Sequence, residues 1–163
     1  PTETEWEVAC RARTRTRYGQ GADVGLLRLY AWYQENSRSH HPPKTRRPGL
    51  RGLFDMHGTL WEWVHDWYGV KRVADWTGPD TGSSRLYRGG SWYDPATQCR
   101  SSLRFSHVPT FRRGHLGFRP ALVPSSEAVE RQKSGHHRGA EAPRERSGAT
   151  TEGTVAADAN GSR

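Results

Sequence analysis

Between Gly52 and Gly69 the chain reads GLFDMHGTLWEWVHDWYG, which sets three tryptophans and a tyrosine beside Asp55, His57, Glu62 and Asp66, four side chains able to bind metal or handle protons. Indole rings fill wide, irregular interiors rather than the narrow seam between packed helices. The surrounding composition agrees. Eighteen glycines and 10 prolines accompany seven tryptophans in 163 residues, and glycine and proline both interrupt helices. A helical bundle is therefore excluded. At 33% hydrophobic content the chain can build one loop-rich domain with a modest core.

No run of 18 apolar residues occurs, so the sequence codes no membrane span. It opens at Pro1 and its only methionine is Met56, which reads as the cut edge of a longer product. From Ser125 the character changes. The stretch SSEAVERQKSGHHRGAEAPRERSGATTEG and the residues after it hold no aromatic side chain and little that is apolar beyond alanine and two valines. That is too little burial to offset the entropy of ordering, so residues 125–163 are expected to be a disordered polar tail. Its six basic and six acidic residues cancel, and the formal charge of +8 resides in residues 1–124. The clusters RARTRTR (Arg11 to Arg17) and KTRRPGLR (Lys44 to Arg51) are the basic patches. Neither has a helix-turn-helix or zinc-finger spacing, and nucleic acid is not expected as a partner.

Within residues 1–124, Thr2-x-x-Glu5 has the spacing of a capping box, and Trp6 and Cys10 follow at i, i+4. The spacing predicts a helix from about Glu3 to Ala12. LYAWYQ (Leu29 to Gln34) reads as a short strand. RLYRGGSW (Arg85 to Trp92) reads as a strand broken at Gly89-Gly90, where a bulge or a close backbone approach is expected. LGFRPALV (Leu116 to Val123) reads as a last strand closing the sheet. No internal repeat is visible.

PTETEWEVACRA, GLFDMHGTLWEWVHDWYG, RLYRGGSW, CRSSLRFS and GFRPAL occur in this order. In order and rough spacing they resemble the formylglycine-generating enzyme family, the sulfatase-modifying-factor domain, over residues Pro1 to about Leu122. The resemblance implies an α+β fold related to C-type lectins and low in regular secondary structure. In it a twisted antiparallel sheet and a few helices are tied by long loops. It also implies that residues 1–124 are the C-terminal portion of such a domain, with a further segment ahead of it.

In that family the stretch similar to Asp55-x-x-Gly58-x-Leu60-x-Glu62 winds around calcium. Side-chain oxygens come from Asp55 and Glu62 and main-chain carbonyls from Gly58 and Leu60, all hard ligands suited to the ion. Asp55 stands where asparagine is commoner and keeps an oxygen donor. A calcium-dependent rise in melting temperature is the corresponding expectation. From the residues alone, Asp55 and Glu62 could equally cap turns or pair with arginine. The resemblance further implies that Trp61 lines a substrate groove while Trp63 and Trp67 pack inward.

Active members of the family oxidise a substrate cysteine to an aldehyde with copper(I) held by two cysteines after the RGGS motif. Soft thiolates are what copper(I) requires. Here the segment is RGGSWYDPATQCRSS, and Asp94 occupies the first cysteine position, three residues after Ser91. The loop to Cys99 is also shorter than in active members. No catalytic residue is therefore assigned, and copper is not expected. Cys99 resembles a structural cysteine that pairs, in the family, with the position of Cys10. That resemblance implies a disulfide contributing roughly 4–5 kcal/mol in the chain-entropy model, and with it an exported protein, periplasmic or extracellular; two buried free thiols would fit a cytosolic one.

His57, His65, His107 and His115 are scattered without metal-ligand spacing, His40-His41 sits in a proline-rich loop, and His136-His137 lies in the tail. They read as structural or solvent-facing. Ser91 resembles a substrate-contacting serine, although a serine after two glycines also suits a turn. Arg104 and Arg119 read as buried fold anchors. Three functions follow from the resemblance. One is a formylglycine-generating-type protein that meets a cysteine-containing peptide or protein but lacks the oxidase step. Another is the C-terminal domain of an ergothioneine-type sulfoxide synthase, whose iron would need histidines in an upstream helix. The third is a non-enzymatic lectin-like binding module.

Overall fold

The Thr2-x-x-Glu5 signal is realised in full. In the computed structural model, which describes residues 1–69 and 79–122, the Thr2 hydroxyl accepts from the Glu5 amide at 3.2 Å and the Glu5 carboxylate accepts from the Thr2 amide at 2.8 Å. Helix α1 runs Glu3–Arg11 and stops at Ala12, whose φ of 49° places it in the left-handed region. Its inner face buries Glu3, Trp6 and Cys10. A single turn, α2 (Val24–Leu27), follows, capped by the Asp23 side chain. A compact unit extends from Pro1 to Ala121. The tail expected from Ser125 lies outside the described residues.

The remaining regular structure is a four-stranded sheet of β1 (Trp61–Trp67), β2 (Arg85–Arg88), β3 (Phe105–His107) and β4 (Leu116–Phe118), ordered β3-β2-β1-β4. Glu62 faces Arg88 and Trp63 faces Tyr87 across the antiparallel β1/β2 ladder, and Leu86 faces Ser106 across β2/β3. The expected wholly antiparallel sheet needs correction at one edge. β4 runs parallel to β1, with Trp61 opposite Leu116. The chain between them is long enough for the crossover that parallel neighbours require. LGFRPALV forms strand only over its first three residues; Pro120 has no amide to continue a ladder. Val123 lies outside the described residues.

Two other readings change. Residues 29–34 are not a strand, because Trp32 makes only an isolated bridge to Gly58. Conversely, WEWVHDW is the longest strand of the sheet and was not expected as one. Trp61 is its buried indole, whereas Trp63 and Trp67 are only half-buried, the reverse of the inward packing that the resemblance implies for those two. Trp67 is covered on one face by the Arg85 guanidinium, 4.0 Å from the ring centre.

The core has two clusters. Trp6, Cys10, Met56, Val64 and Leu86 pack between α1 and the sheet. Tyr18, Leu27, Ala31, Tyr33, Ala96 and Cys99 pack among loops. Beside the first cluster Arg88, fully buried, donates to Glu3 at 2.8 Å and to Glu7 at 2.6 Å. Arg104 donates to the same buried Glu3 at 2.6 Å, as the anchoring role expected for it requires. Charges removed from water must be paired in this way. Asp66, also buried, accepts from the Glu3 amide at 2.6 Å and holds the start of α1 against β1.

Candidate functional site

β2 ends at Arg88, and Gly89 and Gly90 turn the chain with φ of 102° and 76°. A Cβ on Gly90 would lie 2.7 Å from the Cys99 sulfur, so the expected close approach is real and only glycine fits. The turn delivers Ser91, which is fully buried, and then Asp94. The Ser91 hydroxyl donates to Asp94 Oδ2 and accepts from the Tyr93 amide. Trp61, at the start of β1, donates its indole N–H to the same Oδ2 at 2.7 Å. Three positions singled out from the sequence thus meet around one carboxylate. Among the described residues Asp94 Oδ1 accepts no hydrogen bond, and no cation pairs with Asp94.

Beside this carboxylate lies a cavity of 180 Å³ lined by Trp61, Tyr87, Asp94, Phe105, Phe111 and His115, among others. Trp61 meets Tyr87 and Phe105 edge-on, both at 5.2 Å between ring centres. Burial, and after it the Asp94 charge, pushes the Tyr87 phenol above its usual pKa. Sequence reading missed Tyr87, Phe105 and Phe111. Their signal is only that Tyr87 directly precedes Arg88-Gly89-Gly90, and β2/β3 pairing is what brings Phe105 opposite Tyr87.

Asp55 and Glu62 lie along a different cleft, of 450 Å³, with Leu60, Thr59, Lys44 and Arg119. Their oxygens are already engaged. Asp55 accepts from the Lys44 amide at 2.8 Å and the Thr59 hydroxyl at 3.2 Å. Glu62 accepts from Arg119 through both oxygens, at 2.7 and 3.0 Å, and from the Trp6 indole at 2.7 Å. Gly58 turns between them with φ of 65°, where a Cβ would meet the Trp32 carbonyl at 2.0 Å. A guanidinium bound to Glu62 neutralises the charge a dication needs and repels the ion itself. As arranged, the side chains of Asp55 and Glu62 do not fit calcium. Among the described residues no group of three His, Cys, Asp or Glu side chains gathers to hold a metal.

The Cys10–Cys99 disulfide is also corrected: both cysteines are free and buried. His57 touches the sulfur of Cys10 and the main-chain carbonyl of Cys99. Its Nε2 accepts from the Gly19 amide at 3.0 Å, which leaves the proton on Nδ1 to be donated to the Cys99 carbonyl at 2.8 Å. Cys10 Sγ rests 3.5 Å from Nε2, while the Cys99 sulfur faces Gly90 and the Pro95 carbonyl. Burial pushes the Cys10 thiol up to about 12, raises Cys99 likewise, and holds the imidazole down to about 4. At neutral pH all three are uncharged. Neither thiol is poised as a nucleophile or a metal ligand, both of which require thiolate. Four other described histidines make ring contacts: His41 stacks on Trp32 at 3.6 Å, His40 meets Trp92 edge-on, His107 stacks on Phe111, and His115, at the cavity, stacks on Tyr93.

The model of the sulfatase-modifying factor enzyme 1-like domain matches residues 1–123. The formylglycine-generating enzyme of Streptomyces coelicolor is 34% identical over 142 residues, covering 74% of this chain and 45% of that protein. Among solved structures, Treponema denticola variable protein 1 superposes with a TM-score of 0.69 at 37% identity, covering 72% of this chain and 45% of its own. PvdO from Pseudomonas aeruginosa superposes with a TM-score of 0.62 at 25% identity, covering 72% and 49%. The chain spans less than half the length of these relatives. With its mixed sheet, few helices and long loops, and with the family match running through both clusters and the Asp94 turn, this chain belongs to the sulfatase-modifying factor family of formylglycine-generating enzymes.

Proposed function

We propose that this domain keeps the peptide-facing groove of its family without the copper-dependent oxidation, and acts by binding. The observation that carries this reading is Asp94. A carboxylate held by Trp61 and Ser91 stands where soft sulfur would be needed. The only two thiols in the sequence are buried, protonated and turned to separate neighbours around His57. Together they do not fit copper(I). The chain's own residues supply a shaped, partly desolvated pocket in which Trp61 and Ser91 fix the orientation of one carboxylate. Incubation of the protein with copper(I), oxygen and a sulfatase-type cysteine peptide tests this. No aldehyde should form, and clear turnover would refute the reading.

Calcium, implied by resemblance for residues 55–62, would have to displace Arg119 from Glu62 before it could bind. The expected result is no change in melting temperature at millimolar calcium, with or without chelator. A rise reversed by chelator would show that the ion does displace the arginine. The free thiols also remove the disulfide as a ground for placing the protein outside the cell.

A further inference from the structure

We infer that the 180 Å³ cavity at Asp94 takes a positively charged side chain, the ammonium of a lysine or the guanidinium of an arginine in a partner peptide. This rests on the reading of the domain as a binding module and names what it binds. The argument begins from charge. Residues 1–124 carry the whole excess of 8 positive charges, and the buried carboxylates Glu3 and Glu62 are each paired with arginine. Glu3 has Arg88 and Arg104, Glu62 has Arg119, and Asp66 has the amide that opens α1. Asp66 is sealed in the core, whereas Asp94 is half-buried at a cavity and has two neutral donors, both on Oδ2, and no cation among the described residues. Its other oxygen takes no hydrogen bond among the described residues, although Asp94 lines the cavity.

The walls point to the same ligand. Trp61, Tyr87, Phe105 and Phe111 line the same cavity as the carboxylate, and aromatic rings attract cations through their electron-rich faces. A carboxylate among aromatic rings excludes anions by charge. A neutral aliphatic side chain would fill the space but leave Oδ1 without a partner, a cost that a cation removes. Neither lysine nor arginine lines the cavity, and its polar side chains Gln98 and His115 make no hydrogen bond to Asp94.

The test uses small probes on the whole protein: Nα-acetyl-lysine amide and Nα-acetyl-arginine amide, with Nα-acetyl-norleucine amide as the uncharged control. Binding is followed by the NMR signal of the Trp61 indole N–H, which is bonded to Asp94. A cationic probe should move that signal saturably, and the norleucine probe should bind about tenfold more weakly or not at all. In Asp94→Asn the side-chain oxygen still accepts from Trp61 and Ser91 while the charge is gone, so the cationic probes should fall to the norleucine level. Equal binding of norleucine and lysine, or no movement with either cation at millimolar concentration, overturns the inference. The comparison of probes on the unaltered protein stands even if the variant fails to fold. Failure here, with no aldehyde from the cysteine peptide, removes the cation and leaves the non-oxidising domain. Aldehyde formation there, with cation binding here, does the opposite.

Discussion

The two core clusters touch the same imidazole, yet they are built on different physics. On the sheet side, Trp6, Cys10, Met56, Val64 and Leu86 are framed by a helix, a strand ladder and the ion pairs of Glu3 with Arg88 and Arg104. On the loop side, Tyr18, Leu27, Ala31, Tyr33, Ala96 and Cys99 are joined by single hydrogen bonds between distant loops, such as Tyr18 hydroxyl to Ala96 carbonyl at 3.0 Å and Ser101 amide to Arg17 carbonyl at 3.0 Å. The sheet side concentrates its polar stabilisation in a few charges that fail together. The loop side spreads it over many neutral contacts that fail one at a time.

Arg88→Ala should separate the two most sharply. It leaves Glu3 with Arg104 alone and takes the buried countercharge from Glu7, so a loss of about 3–5 kcal/mol is expected by chemical denaturation. A loss below about 1 kcal/mol would mean that the sheet side is no more concentrated than the loop side. His57 comes next, because it belongs to both. Its pKa is held down to about 4 by burial, against 6.5 when exposed, so the unfolded chain takes up a proton first as pH falls. Its contribution is complete above about pH 6.5 and is lost between there and pH 4, with a slope of up to about 1.4 kcal/mol per pH unit. His57→Gln should flatten that part of the stability profile; an unchanged slope would place the titration elsewhere. Tyr18→Phe removes one neutral bond of the loop side and should cost about 0.5–1.5 kcal/mol in a thermal or denaturant melt. A loss as large as that of Arg88→Ala would erase the contrast.

The sheet side was the more legible of the two, and unevenly so. Thr2-x-x-Glu5 announced α1, Gly89-Gly90 announced the end of β2, and the arginines of SLR and GFR were read as anchors before their partners were known. β1 escaped because Glu62 and Asp66 are buried in it. Two carboxylates on an inward face break the apolar alternation that marks a strand, and their partners, Arg119 and the Glu3 amide, are remote in sequence. The loop side has no period at all. LYAWYQ looks like a strand by composition, but Trp32 finds only Gly58 to pair with. At the candidate site, Trp61, Ser91 and Asp94 were visible one by one. The aromatic walls depend on the β2/β3 register, and the two thiols are free because Cys10 is packed on His57 while the Cys99 sulfur faces Gly90 and Pro95, neighbours set only by the tertiary fold.

Glu3 and Arg104, 101 residues apart, close almost the whole described chain into a ring. A covalent staple from Cys10 to Cys99 would have enclosed much the same stretch, and it would have persisted in the denatured protein, limiting how far that chain could spread. An ionic clasp disappears with the fold it secures. The domain therefore begins each refolding from a chain without a covalent crosslink, and Glu3 and Arg104 find one another again without an oxidant or any particular redox surroundings.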